Sequence, residues 1–321
     1  MAGSYTGSTG TVYAVEKVLQ DKGPPHGRVF LARDGRRPVV LKEIAQVWDL
    51  RRDMYARTID SPHVRKLLDT VPAHKIFVFE YLNEDLLKLT WKKLPSPVLR
   101  SILKAGLRGL ASLHEKDIVH TDVKADNFLV QIALDDDPSK IRLEKVELGD
   151  LEDSAPIPNG QSLVGAQLGN DMWRSPEAHA MGPIKTPSDM FSFGIVCLFA
   201  MTQVLPFAVD VDKLEPGIEK PVVIMERQLS YFADEDTLEG LLKYLGESNQ
   251  FVQLFRVLKS GFGDHQPRRP FALWQGLDVE NEDAFRDLVV KLTNFDPTKR
   301  LTASQALQHE WLRDVRDISP T

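Results

Sequence analysis

Apolar positions along the first eighty residues come in short bursts. Segments 12–19, 28–32 and 37–43 are rich in β-branched and apolar residues and are split by Gly, Pro and Asp clusters, which predicts three antiparallel strands. Val47, Leu50 and Met54 follow at helical spacing, so 45–59 is predicted to be a helix with these residues on one side. Segments 64–71 and 75–82 predict two more strands. Past Leu82 the period changes: Leu99, Ile102, Leu103, Leu107, Leu110 and Leu113 recur on one helical face, predicting a long amphipathic helix over 96–115. Ser96 is the expected N-cap, with Pro97 at the first helical position. Short strands are predicted at 128–132 and 144–148, split by an acidic loop of low order at 134–142. The run 188–202 is apolar nearly all round, which predicts a buried helix. Further helices are expected at 222–233, 237–245, 250–259, 283–293 and 302–312. Residues 1–11, rich in Gly, Ser and Thr, predict disorder. Residues 151–175 have no clear period, and a segment of that length in a compact domain is usually functional or mobile.

Composition narrows the function classes. The 321-residue chain is 42% hydrophobic and 27% charged, enough apolar material for a core and too much for disorder throughout. Its net charge of -6 argues against broad binding to nucleic acid or acidic lipid, and no nucleic-acid module or repeat is visible. The single cysteine, Cys197, excludes a disulfide framework and a Cys-based zinc site and is expected to be a buried thiol. The N-terminal stretch lacks a charged region followed by an apolar one, and the longest nearly apolar run, 191–201, is too short to span a bilayer. These features lead to the expectation of a soluble intracellular protein, cytoplasmic or nuclear, with no membrane partner.

Residues 118–130 carry the most chemistry. Polar residues are bracketed there by two short apolar strands, an arrangement that can hold Asp122, Lys124 and Asn127 at the mouth of a cleft. Gly149 and Asp150 end another strand. Asp and Asn at such positions supply hard oxygen ligands suited to Mg²⁺ on a nucleotide, although three loop residues on a polar surface would read the same way.

With these residues in view, the chain resembles the eukaryotic protein kinases over about residues 13–312. His120, Asp122, Lys124 and Asn127 match the His-x-Asp-x-Lys-x-x-Asn pattern of that family's catalytic loop. The resemblance implies that Asp122 accepts the substrate hydroxyl proton, Lys124 neutralises the transferred phosphoryl group, and Asn127 and Asp150 bind Mg²⁺. Lys124 is similar to the serine/threonine branch. Val39, Val40, Leu41 and Lys42 resemble the Val-Ala-Ile-Lys strand, which implies Lys42 on the donor phosphates. Phe79, Glu80, Tyr81 and Leu82 resemble the gatekeeper and hinge, whose backbone pairs with adenine. Asp85 is then a ribose contact, and Gly27, Val29, Val40 and Leu129 further nucleotide contacts. Ser175, Pro176 and Glu177 resemble Ala-Pro-Glu, with Arg300 as the buried ion partner of Glu177. Asp189 and Gly194 match a central helix whose Asp anchors the catalytic loop. The implied fold is α+β and bilobal: a disordered segment at 1–11, a small five-stranded antiparallel N-lobe with one helix at 12–82, a larger, mostly helical C-lobe at 83–312 and a tail at 313–321. The implied activity is a serine/threonine protein kinase using ATP and Mg²⁺ on a protein substrate. Divergent kinase-like proteins of filamentous fungi have a similar flavour.

Several positions depart from the family pattern. Lys22, Pro24 and Gly27 stand at the three phosphate-loop glycines; Pro24 has no N–H for a phosphate, and Pro25 stiffens the loop. The helix glutamate that holds the strand lysine falls on Arg52, leaving Asp53, or Asp49, as candidate partners of Lys42. Asp150, Leu151 and Glu152 replace Asp-Phe-Gly; Leu151 can fill an apolar slot, and Glu152 reads either as an extra metal ligand or as a surface charge. Val40 stands over the adenine position in place of a smaller Ala. Asn170 stands where a threonine usually contacts the catalytic Asp and Lys. Thr121 replaces the Arg that receives an activating phosphate, and Ser154 and Ser162 are the only hydroxyls between Asp150 and Gly169. Activity is therefore expected not to require phosphorylation of 151–175, with Arg174 the other candidate phosphate receptor. These departures leave two alternatives open, a pseudokinase that binds nucleotide or acts as a scaffold and a small-molecule phosphotransferase.

Overall fold

The computed structural model describes residues 3–24, 27–44, 46–134, 141–158 and 160–318. Pro25, Ala45, most of the acidic loop expected at 134–142 and the end of the 313–321 tail lie outside these residues.

The N-terminal unit is an antiparallel sheet of β1 (Ser4–Thr6), β2 (Val12–Asp21), β3 (Arg28–Arg33), β4 (Pro38–Glu43), β5 (Leu67–Val71) and β6 (Ile76–Glu80), with the helix α1 (Trp48–Arg57) between β4 and β5. The order across the sheet is β1-β2-β3-β4-β6-β5. Six strands stand where the pattern predicts five, because Ser4–Thr6 adds to the β2 edge instead of being disordered. The Asp69 carboxylate fixes this addition: it accepts hydrogen bonds from Thr9 Oγ1 (2.6 Å) and Tyr13 Oη (2.9 Å). Burial and the bond to Asp69 push the Tyr13 hydroxyl up to about 12. Helix α1 also departs from its predicted face. Val47 and Leu50 are 57% and 58% exposed, and the residues it buries are Met54 and Tyr55. Tyr55 packs edge-on to Phe77 and tilted against Phe79 of β6.

After the hinge come β7 (Glu84–Asp85), α2 (Leu86–Trp91) and α3 (Ser96–His114), then β8 (Ile118–Val119), β9 (Phe128–Leu134), β10 (Ile141–Leu148) and β11 (Ala155–Pro156). The N-cap of α3 is Pro95 rather than Ser96. The predicted leucine face of α3 is buried, each such side chain contributing about 1.5–3 kcal/mol. β10, β9 and β7 form one small sheet, and β11 pairs with β8. The remainder is helical: α4 (Pro176–His179), α5 (Thr186–Thr202), α6 (Lys220–Phe232), α7 (Glu235–Leu245), α8 (Phe251–Ser260), α9 (Glu282–Leu292), α10 (Ala303–Leu307) and α11 (Glu310–Arg313). The single helix expected at 302–312 is thus two, split between Leu307 and Glu310. Helix α5 is the buried one: Phe191, Phe193, Val196, Cys197 and Phe199 are fully inside. Among the described residues no helix is long and apolar enough to cross a membrane.

The two parts meet along the chain between α1 and β5. His63 O accepts from Leu148 N (2.8 Å), and Arg65 N donates to Leu148 O (2.9 Å). Gly109 of α3 lies against His63 O, where an added Cβ would sit at 2.7 Å, so the close approach requires glycine.

Candidate active site

The loop between β8 and β9 is held from below by α5. Asp189 accepts from His120 N (2.8 Å) and Thr121 N (2.9 Å), and His114 Nε2 lies 3.0 Å from the same carboxylate. These bonds hold Thr121 at φ 67°, an unfavourable left-handed conformation for a β-branched residue. Thr121 Oγ1 then donates to Asp153 O (2.9 Å), tying the loop to the segment that follows Asp150. His120 is buried, with Nε2 2.9 Å from Gly149 O.

Above this base, Asp122 has one carboxylate oxygen 2.9 Å from Lys124 Nζ. Its other oxygen accepts from the Asn170 backbone N–H (3.0 Å). Position 170 thus reaches Asp122 through its backbone, while its side chain caps Met172 N (3.0 Å). Asn127 donates to Asp122 O (2.8 Å), leaving its amide oxygen without a donor among the described residues. Burial disfavours the charge on Lys124, but Asp122 and Asp126 raise its pKa overall.

Lys42 reaches down from β4 between two carboxylates, Asp150 at 2.6 Å and Glu152 at 3.0 Å. Burial opposes the ammonium charge; the two carboxylates more than offset it and hold the Lys42 pKa well above the usual lysine range. Asp150, at φ 63°, turns its carboxylate into the cleft. Burial works against its charge as well, but Lys42 and its other neighbours keep it far below the usual carboxylate range. Neither Asp53 nor Asp49 pairs with Lys42. Both lie on the outer face of α1, 65% and 79% exposed, beside Arg52. The α1 residue that reaches this segment is Tyr55, whose hydroxyl accepts from Leu151 N (3.3 Å). Leu151 is buried in the core, filling the expected apolar slot.

The cleft between the two parts encloses about 440 Å³. Val29 and Val40 line its roof, Leu82 and Asp85 its hinge side and Leu129 its floor, with Lys42, Lys124, Asn127 and Asp150 at the inner end. Asp85 also caps α2, accepting from Lys88 N (2.9 Å). Gly27 and Glu80 are not among the lining residues. Gly27 sits against Glu43, in a separate hollow with Asp21 and Arg28. The turn carrying it closes on itself: Lys22 N donates to Gly27 O (3.3 Å), and Gly27 N to Gly23 O (3.0 Å). Glu80 points its side chain out to Lys145, and its carbonyl accepts from Arg65 Nη2 (3.2 Å). The Leu82 N–H, by contrast, has no partner among the described residues.

Arg65 was not marked by any sequence pattern. Its guanidinium lies 4.4 Å from the Phe79 ring centre and lines the back of the cleft, a placement that only the fold reveals. Glu152, which the sequence reads as an extra metal ligand or a surface charge, is placed as neither. Its side chain is 8% exposed, neither a surface charge nor aimed into the open cleft, and Lys42 is its one ion-pair partner among the described residues. Burial pushes its carboxyl above the usual glutamate range, with the Asp150 carboxylate adding to the rise and the Lys42 ammonium opposing it.

The donor set fits a hard cation carried by a nucleotide. At the inner end of the cleft the Asp150 carboxylate stands near the Asn127 amide, and no group of three or more His, Cys, Asp or Glu side chains among the described residues could hold a metal. A cation at Asn127 and Asp150 would therefore keep waters and phosphate oxygens as its other ligands, as Mg²⁺ does.

Beyond the site, Glu177 and Arg300 form a buried bidentate pair at 2.6 and 2.8 Å. Arg174 spends its guanidinium on three carbonyls, Leu168 O (2.8 Å), Gln167 O (3.0 Å) and Gly169 O (2.5 Å). That leaves it poorly placed to receive a phosphate.

The comparisons with known proteins agree with this geometry. A family model described as "Protein kinase domain" matches residues 26–312. The chain is 25% identical over 84% of its length to "Serine/threonine-protein kinase SSN3" of Candida albicans and 26% identical over 81% to the Aspergillus oryzae protein of the same name. It is 25% identical over 96% of its length to "Cyclin-dependent kinase B2-1" of Oryza sativa, and covers 84% of that protein. The chain spans 45% of the Candida relative and 67% of the Aspergillus one. A solved structure, "Crystal Structure of the yeast RNA Pol II CTD kinase CTDK-1 complex", superposes with a TM-score of 0.71 at 17% identity, over 95% of this chain and 99% of that one. On the family match and the geometry together, the chain belongs to the protein kinase domain family.

Proposed function

We propose that this protein is a serine/threonine protein kinase that moves the γ-phosphoryl group of ATP to a protein hydroxyl. The observation that carries the reading is the fixed carboxylate of Asp122, held by Lys124 on one oxygen and by the Asn170 N–H on the other, at the mouth of a cleft whose inner end holds Lys42 and Asp150. A carboxylate so placed can take the proton of an incoming hydroxyl, while Lys124 beside it neutralises the charge of the group in transit. Lys42 faces the donor phosphates, and the Leu82 N–H is the hinge donor available to a base. Asn127 and Asp150 are the proposed Mg²⁺ ligands; the cation, when bound, neutralises phosphate charge. Transfer of this kind is mostly positioning and charge neutralisation, so these groups weigh more than a well-formed lid.

One observation favours a second reading. Among the described residues of the β2–β3 turn, Lys22 N and Gly27 N bond carbonyls of the turn itself, and Pro24 has no N–H to offer a phosphate. A protein that binds nucleotide weakly and acts as a pseudokinase follows if transfer is absent. The reading is tested by incubating the protein with γ-labelled ATP, Mg²⁺ and a generic protein acceptor, then separating the phosphoamino acids. Phosphoserine or phosphothreonine is expected; label only on tyrosine, only on small hydroxyl compounds or nowhere would contradict it.

A further inference from the structure

Helix α1 presents no carboxylate to Lys42, yet Lys42 is not left with Asp150 alone. Glu152, two residues past Asp150, folds back beneath it to 3.0 Å from the ammonium. Its position is set from several sides. Asp150 adopts a left-handed turn, Leu151 anchors in the core, and the Tyr55 hydroxyl accepts the Leu151 N–H. The short helical turn Leu151–Asp153 that follows holds the Glu152 backbone. Both Glu152 carboxylate oxygens are buried and, among the described residues, receive no well-aligned hydrogen bond, so the ion contact with Lys42 is what compensates their lost hydration.

We propose that Glu152 is the positioning residue for Lys42, supplying from the segment after β10 the counter-charge that α1 does not supply. This deepens the kinase reading and rests on it for the role of Lys42. Asp150 has two demands on it, the lysine and the cation. If the carboxylate turns to a cation, a second acid must keep the lysine in place, and Glu152 is buried on the protein side where it can do so. Tyr55 contributes a neutral brace from α1 to the Leu151 backbone, and Asp53 contributes nothing to the lysine. Glu152 is held apart from the metal role by its burial beneath Lys42.

The test has a structural and a functional arm. In a double-mutant cycle on urea unfolding, Lys42→Met and Glu152→Gln should be non-additive, whereas Lys42→Met and Asp53→Asn should add. In steady-state transfer, Glu152→Gln should lower kcat at least tenfold while ATP affinity, measured by calorimetry in EDTA, changes less than threefold. Asp53→Asn should leave both unchanged. Additive unfolding effects for Lys42 and Glu152, an unchanged kcat in Glu152→Gln, or a tenfold loss in Asp53→Asn would overturn the proposal. So would a Glu152→Gln defect restored by raising Mg²⁺, which would make Glu152 a metal ligand. A wild-type protein that transfers no phosphate would sink the kinase reading by itself, and the unfolding cycle would still decide whether Glu152 holds the lysine.

Discussion

At the scale of single residues, the buried charges separate structure from chemistry. The Glu177–Arg300 pair is almost wholly out of solvent, and Arg300 also donates to Asn294 O (2.7 Å) and Pro187 O (3.0 Å). Removing the guanidinium leaves an unpaired buried carboxylate and several orphaned carbonyls, so Arg300→Ala should lose about 3–5 kcal/mol in urea unfolding. An unfolding midpoint equal to that of the wild type would show that the pair contributes nothing. His179 makes a second case. Burial, with Arg174 adding to it, pushes its pKa down to about 3, and Nε2 lies 3.1 Å from Asp171 O. The folded protein therefore keeps this imidazole neutral where the unfolded chain protonates it. The stability is present above about pH 6.5 and is lost as pH falls below that, at roughly 1.4 kcal/mol per unit. Unfolding measured at pH 7 and pH 5 should show about 2 kcal/mol more loss in the wild type than in His179→Asn; equal losses would contradict it. The Glu177 partnership and the catalytic-loop residues were legible because their spacing in the chain follows a family order. Glu152 and Tyr55 were not, because the acid that meets Lys42 depends on how the chain turns after Asp150, which no spacing encodes. Gly27 and Glu80 fell outside the cleft for a similar reason: the β2–β3 turn closes on itself, and the Glu80 carbonyl goes to Arg65.

Among the elements, α3 and the segment after β10 position the chemistry. Gly106 lies mid-helix in α3, where alanine would ordinarily be worth about 1 kcal/mol more. A Cβ there would meet the Phe128 ring at 2.0 Å, and Phe128 follows Asn127 and stacks on Phe193 of α5. Gly106→Ala is thus predicted to destabilise by about 1–3 kcal/mol and to lower nucleotide binding as the catalytic loop shifts; a stabilised variant in thermal unfolding would refute this. The described residues of the segment 151–175 are held by ion pairs, Lys42–Glu152 and Lys220–Asp171 (2.7 Å), and by hydrogen bonds. Thr121 donates to Asp153 O, Ser154 donates to His120 O (3.2 Å), Leu163 pairs with Ile184, and Arg174 caps three carbonyls. None of these needs a phosphate. Phosphatase-treated protein and a Ser154→Ala/Ser162→Ala double variant should therefore retain wild-type transfer; a tenfold loss in either, about 1.4 kcal/mol of barrier, would show that the segment needs phosphate. Strong periodicity made α3 and α5 readable from the sequence. Helix α1 was misread because its apolar residues at positions 47 and 50 face solvent, while the aromatic face of β6 selects Met54 and Tyr55. Strand β1 was missed because it is three residues, Ser4–Thr6, within a Gly/Ser/Thr-rich run, recruited by the β2 edge and the Asp69 carboxylate, a tertiary effect.

For the whole molecule, the six-stranded unit carries Lys42 and the helical unit carries Asp122, Lys124, Asn127 and Asp150, and the cleft between them brings these together. The order of motifs along the chain makes this division legible in the sequence, whereas the closure of the phosphate-loop turn and the contact of Glu152 with Lys42 depend on how the chain folds. The central claim is that Asp122 serves chemistry rather than folding. Its most direct measurement is the rate of γ-phosphoryl transfer to a protein acceptor by wild type and Asp122→Asn, at equal folded concentration with Mg²⁺. A loss of at least a hundredfold is predicted, with unfolding free energy within about 1 kcal/mol of wild type. Equal rates for the two proteins, or no transfer by the wild type, would contradict it.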